Sequence, residues 1–89
     1  VSDHYVYMVR CADETLYTGY TTDPDRRVAE HNHGEGAKYT CGRTPVSLVF
    51  LERHDSRSTA LSREYELKQL SRNDKDRLIE RNAPARSPE

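Results

Sequence analysis

Apolar residues are spaced along this chain in two rhythms, and the alternation between them predicts the order of its elements. His4 to Cys11 carries Tyr, Val, Tyr, Met and Val in succession. These are strand formers with apolar residues on both faces, as in a central strand. Ala12-Asp13-Glu14-Thr15 is turn-like, and Leu16 to Thr21 returns as a second strand. Asp23-Pro24 then opens a helix, with Asp as N-cap and Pro at the first helical position. That helix is expected to run to Asn32 or His33, with Gly34 as its stop.

From Gly34 to Pro45 the pattern loses periodicity and reads as a long loop, a length that is often functional. Val46 to Glu52 is nearly continuous in apolar residues, which predicts a strand buried on both sides and covered by helices. A helix is expected from about Ser58 to Leu70. Ser71 and Asp74 form a capping box for a last helix containing Leu78 and Ile79. The order is β-β-α-β-α-α, an α+β chain.

Two tyrosine-bearing stretches dominate the first half, Tyr5-Val6-Tyr7 and Tyr17-Thr18-Gly19, with Tyr7 and Tyr17 ten residues apart. Hairpin register decides their relation. An even loop sends the phenols of Tyr7 and Tyr17 to opposite faces, whereas an odd loop or a bulge puts them on one face. On the following helix Arg27 and His31 are four apart and share a side.

Composition bounds the rest. Eighty-nine residues make one domain, expected over 1–82, and 83–89 have the composition of a disordered tail. Hydrophobic residues make up 34% and charged residues 33%, so the core must be modest. No run approaches a membrane span and no signal peptide is visible, which predicts a cytoplasmic location. Cys11 and Cys41 are too few for a disulfide scaffold and read as reduced thiols. His31, His33 and Cys41 match no usual structural zinc spacing. A net charge of -1 argues mildly against nucleic acid, although local charge matters more than the total.

Taken singly, the candidate residues have ordinary readings: tyrosines as core residues with a wet tip, Arg26 and Arg27 as a solvated face, His31 as a surface histidine. Tyr39, between Lys38 and Thr40, is placed to stack on a base while Lys38 meets a phosphate. Glu64 is anomalous. On the helix from Ser58 it falls within the face formed by Ala60, Leu61, Tyr65, Leu67 and Leu70. A carboxylate there needs a cation beside it, either an arginine or a divalent ion.

These parts in this order resemble the GIY-YIG nuclease domain. The resemblance is closest to its small stand-alone branch, and more distant to the nuclease module of structure-selective flap and junction endonucleases. It implies a three-stranded, mainly antiparallel sheet flanked by helices. It also implies divalent-metal-dependent hydrolysis of DNA phosphodiester bonds on branched, nicked or damaged structures, in repair or recombination. Carried over, Tyr7 and Tyr17 match the two motif tyrosines, Tyr17 resembling the residue that activates or orients water. Arg27 matches the arginine facing the scissile phosphate, and Glu64 the ligand of one Mg2+ or Mn2+ ion. His31 stands where relatives carry histidine or tyrosine, and is a rival to Tyr17 as general base.

The chain departs from the pattern at Tyr5 and Thr18, which supply no reacting group. Some relatives carry a lysine after the second motif where this chain has Tyr20, with Lys38 as a substitute. Arg26, Lys38, Tyr39 and Arg43 are the expected DNA contacts, and the near-neutral charge leaves room for a protein partner that adds basic surface. The competing reading is a non-catalytic module that binds nucleic acid or a partner on the same fold.

Overall fold

A computed structural model describes residues 3–82, so the expected tail at 83–89 lies outside the described residues. Strands β1 (His4–Arg10), β2 (Leu16–Thr21) and β3 (Ser47–His54) form one sheet in the order β2-β1-β3. Both pairings are antiparallel. Helices α1 (Pro24–Asn32), α2 (Arg57–Lys68) and α3 (Arg72–Asn82) flank it, and the long loop holds a single 3-10 turn, Lys38–Thr40.

The central place of β1 explains its unbroken apolar run, since both of its faces are covered. On one side Val6 and Met8 pack with Phe50, Ala60, Leu67 and Ile79, which joins α2 and α3 to the sheet. On the other, Tyr7 and Val9 pack with Cys11 and Val46, with Val28 of α1 and Tyr17 against them. Burying a side chain such as Leu67 or Phe50 contributes roughly 1.5–3 kcal/mol, and this cluster is what fastens α2 and α3 to the sheet.

The β1–β2 register pairs Arg10 with Leu16, leaving the odd loop Cys11–Thr15 between them. Tyr7 stands opposite Gly19 and Tyr17 opposite Val9. Because Tyr7 and Val9 share a face, Tyr17 joins them there. The register is the one a shared tyrosine site requires.

Local chemistry sets the helix ends. The Asp23 carboxylate accepts a hydrogen bond from Arg26 N–H at 3.2 Å, and Pro24 follows it. Gly34, at φ +80°, ends α1 in the left-handed region, its N–H donating to His31 carbonyl. Asn32 ties this end to the start of β3, accepting from Val46 N–H at 2.7 Å and donating to Val46 carbonyl at 3.2 Å. Ser56 caps α2 by accepting from Thr59 N–H, so the helix begins earlier than the expected Ser58. Ser71 accepts from Asp74 N–H at the start of α3.

Two expectations need correction. β3 is not buried on both sides: it is an edge strand, and Leu51 is 41% exposed. A continuous apolar run does not reveal that, among the described residues, no strand lies beyond it. On α2 the buried residues are Ala60 and Leu67, whereas Leu61 and Tyr65 face outward, Tyr65 at 69% exposure. The inward stripe is therefore narrower than the apolar count suggests, and Glu64 lies on it.

Candidate active site

Four elements meet around the hydroxyl of Tyr7, which is almost fully buried. It reaches that position because Gly19, directly opposite, has no side chain: a Cβ there would stand 2.5 Å from the Tyr7 hydroxyl. The far end of the phenol consequently occupies the space that a side chain at position 19 would need. Its ring centroid is 6.4 Å from that of Tyr17 and 5.8 Å from that of His31.

His31 is not the surface residue its position on a short polar helix suggests. It is fully buried, and its Nε2 lies 2.8 Å from the Tyr7 hydroxyl. Nδ1 lies 2.7 Å from Thr40 Oγ1. The loop after α1 covers the imidazole because Gly36 packs directly on it, where any Cβ would collide with the ring. Desolvation lowers the pKa of His31, and the Arg27 guanidinium adds to that shift, so the neutral imidazole is the favoured form.

Burial acts on Tyr7 in the opposite sense and pushes its pKa up to about 12. Arg27 pulls it down, and the nearby Tyr17 and Glu64 add smaller upward pushes. Arg27 is half-buried, and its own pKa is raised, chiefly by its interaction with Tyr7. Glu30 bridges the two neighbouring arginines: Oε1 is 3.0 Å from Arg27 Nη1 and Oε2 is 3.2 Å from Arg26 Nε. Those guanidinium groups hold the Glu30 carboxyl below the usual range. Tyr20, Thr21, Thr22 and Asp23 close a cleft of about 310 Å³ over them.

Helix α2, packed on β1 and β2, brings Glu64 round to the tyrosines. Its cation is a lysine and not the arginine the sequence suggests: Lys68 Nζ is 3.1 Å from Glu64 Oε2 and 6.0 Å from the centre of the Tyr17 ring. Glu64 has a side-chain exposure of 17% and Lys68 of 46%. Among the described residues no group of three or more His, Cys, Asp and Glu side chains is arranged to hold a metal. A single carboxylate that already holds a replaceable cation beside a phenol suits an ion that keeps most of its water shell.

Of the expected DNA contacts, Arg26 and Lys38 are exposed. Tyr39 stacks on Tyr17 with centroids 5.8 Å apart, and the Arg43 guanidinium covers it at 4.4 Å. Arg43 is also held by Asp13 at 3.0 Å and donates to Tyr39 carbonyl. Tyr39 and Arg43 thus form the wall beside Tyr17. The structure brings Tyr7, Tyr17, Arg27, His31 and Glu64 together, and leaves Arg26 and Lys38 at the rim.

Sequence reasoning missed Glu30, Gly36, Thr40 and Lys68. Glu30 and Lys68 stand at helical spacing from their partners and were readable in principle. Gly36 and Thr40 act through a loop with no periodicity.

A family model described as the GIY-YIG catalytic domain matches residues 3–77. A UPF0213 protein of Natronomonas pharaonis is 68% identical over 78 residues, covering 88% of this chain and 92% of that protein. One from Staphylococcus haemolyticus is 54% identical over 80 residues, with 90% and 98% covered. The solution NMR structure of a UPF0213 protein from Bacillus halodurans superimposes with a TM-score of 0.61 at 48% identity, covering 91% of this chain and 86% of that one. The arrangement around Tyr7 and the match along nearly the whole chain agree: the chain belongs to the GIY-YIG family, a nuclease family, and is similar throughout to its small UPF0213 members.

Proposed function

We propose that the protein is a divalent-metal-dependent DNA endonuclease, selective for branched, nicked or damaged structures and acting in repair or recombination. The observation that carries this reading is the convergence of Tyr7, Tyr17, Arg27 and His31 on one side of the sheet, with Glu64 brought to the same place. A scaffold of this size offers little surface for reading bases, which favours shape over sequence as the determinant.

In this reading Arg27 meets the scissile phosphate and offsets the charge that builds on its oxygens. The Tyr7 hydroxyl takes the proton of the attacking water while passing its own to Nε2 of His31. A phenol whose pKa is pushed up to about 12 stays protonated at neutral pH, so it takes the water proton only as it gives up its own, and the neutral imidazole supplies that acceptor. Tyr17, half-buried at the mouth, orients the water. Glu64 would hold the Mg2+ or Mn2+ ion in place of Lys68, and the ion would supply Lewis-acid stabilisation of the phosphate. Arg26 and Lys38 contact flanking phosphates.

The test is cleavage of labelled duplex, single-stranded, flap and four-way-junction DNA with Mg2+ or Mn2+, beside Glu64→Ala and Tyr17→Phe. Cleavage of a branched substrate that both substitutions abolish is expected. Binding without cleavage on every substrate would overturn the assignment in favour of a binding module.

A further inference from the structure

The two shortest hydrogen bonds at the His31 ring have a preferred direction. Thr40 is fully buried, and its Oγ1 donates to the carbonyl of Ala37 at 2.9 Å. A hydroxyl has one proton, so Thr40 Oγ1 has none left for the imidazole. With its proton on that carbonyl, it accepts from Nδ1 at 2.7 Å. The Ala37 carbonyl accepts and never donates, and it takes the Thr40 backbone N–H at 3.1 Å as well, so it draws the hydroxyl proton without being left unpaired by its loss. In that arrangement Nδ1 carries the hydrogen, and the lone pair of Nε2 faces the Tyr7 hydroxyl at 2.8 Å.

One group competes. The N–H of Ala37 points at the same Nδ1 from 3.4 Å, and a donor there favours the opposite tautomer. With its proton on the Ala37 carbonyl, Thr40 outweighs that N–H because its contact with Nδ1 is much shorter, 2.7 Å against 3.4 Å. The glycine at position 36 is what lets the loop approach closely enough for either contact, since any larger residue would strike the ring.

We propose that Thr40 is a positioning residue that holds His31 in the Nδ1–H tautomer, leaving Nε2 free to accept the proton of Tyr7. The proposal rests on the nuclease reading for its consequence in catalysis, and on geometry alone for the tautomer. In the step it supports, the Tyr7 O–H bond breaks, its proton joins Nε2, and the resulting imidazolium keeps the Nδ1 hydrogen on Thr40. The water proton then restores the phenol. Without the Thr40 hydroxyl, Ala37 N–H becomes the sole neighbour of Nδ1 on that side. The ring then turns to the Nε2–H tautomer, which donates to Tyr7 and accepts nothing from it.

Imidazole 15N chemical shifts test this directly, with the His31 signals assigned by their absence in His31→Gln. The native protein should show a neutral His31 protonated at Nδ1. Thr40→Val, close in shape, should move the proton to Nε2 and slow cleavage by roughly a hundredfold, the usual contribution of a lost acid-base partner. Thr40→Ser keeps the hydroxyl and should restore both the tautomer and most of the rate. Nε2 protonation in the native protein, or an unchanged Nδ1 signal in Thr40→Val, overturns the proposal. If Thr40→Val fails to fold, the native and Thr40→Ser spectra decide. If the native protein cleaves no DNA, the nuclease reading fails while the nitrogen shifts still judge the role of Thr40.

Discussion

Gly19 lies directly beneath the hydroxyl of Tyr7, so close that a Cβ on it would stand 2.5 Å from that oxygen and 2.6 Å from the ring carbon bearing it. The last residue of Tyr17-Thr18-Gly19 is therefore steric in its role: it clears the path by which Tyr7 reaches His31. Gly19→Ala should displace the phenol and cost about 1–3 kcal/mol, as overpacking does. Urea unfolding measures the loss, and the cleavage assay should show a fall in rate beyond what the remaining folded fraction explains. Native stability together with native cleavage would contradict this account.

His31 gives a signature in pH. Its folded pKa lies below its ordinary value of about 6.5, because burial and Arg27 disfavour the charged ring. As pH falls, the unfolded chain takes up the proton first. Stability is then full above about pH 6.5 and declines as pH falls towards the folded value. Asp13 and Glu30, both held low by their partners, lose theirs only in more acidic solution. Urea unfolding between pH 7.5 and 5 should show a steeper loss in the native protein than in His31→Gln, and equal slopes would contradict the shift.

Much of this was readable in the chain, and the failures have physical causes. The hairpin, α1 and the capped starts of the later helices follow from turn and cap chemistry acting over a few residues. Tyr7, Tyr17, Arg27 and Glu64 stood out because their spacing combined with their types. The burial of His31 was not readable, because it depends on a loop returning through Gly36 and Thr40, and such a return leaves no periodic trace. The edge position of β3 was hidden for a related reason: apolar runs report burial, while neighbours in a sheet are set by long-range pairing.

Glu30 occupies Arg26 and Arg27 in the way a phosphate would, one oxygen to each guanidinium. Its removal should free both for DNA. Glu30→Gln is expected to tighten binding of a flap or junction roughly twofold to tenfold at low salt, since a nearby like charge has been removed from the path of the phosphate. Fluorescence anisotropy across a salt series reads this, and the gain should shrink as salt rises. Weaker binding by Glu30→Gln would show that Glu30 serves mainly to orient Arg27.

Lys68 is the cation that Glu64 holds, and the two stand at the i,i+4 spacing of a surface helix pair. Such pairs stabilise a helix by only about 0.3–0.5 kcal/mol, and Lys68 is nearly half exposed, so a divalent ion displaces it at little cost. The ammonium nevertheless competes for the same carboxylate. Lys68→Met keeps the aliphatic stem beside Tyr17 and removes the charge. Its stability should stay within about 0.5 kcal/mol of native, while the Mg2+ needed for half-maximal cleavage should fall several-fold. Mn2+ binding followed by electron paramagnetic resonance gives the same comparison without DNA. A variant that binds Mn2+ as the native protein does yet cleaves poorly would place Lys68 on the substrate phosphate and not in competition with the ion.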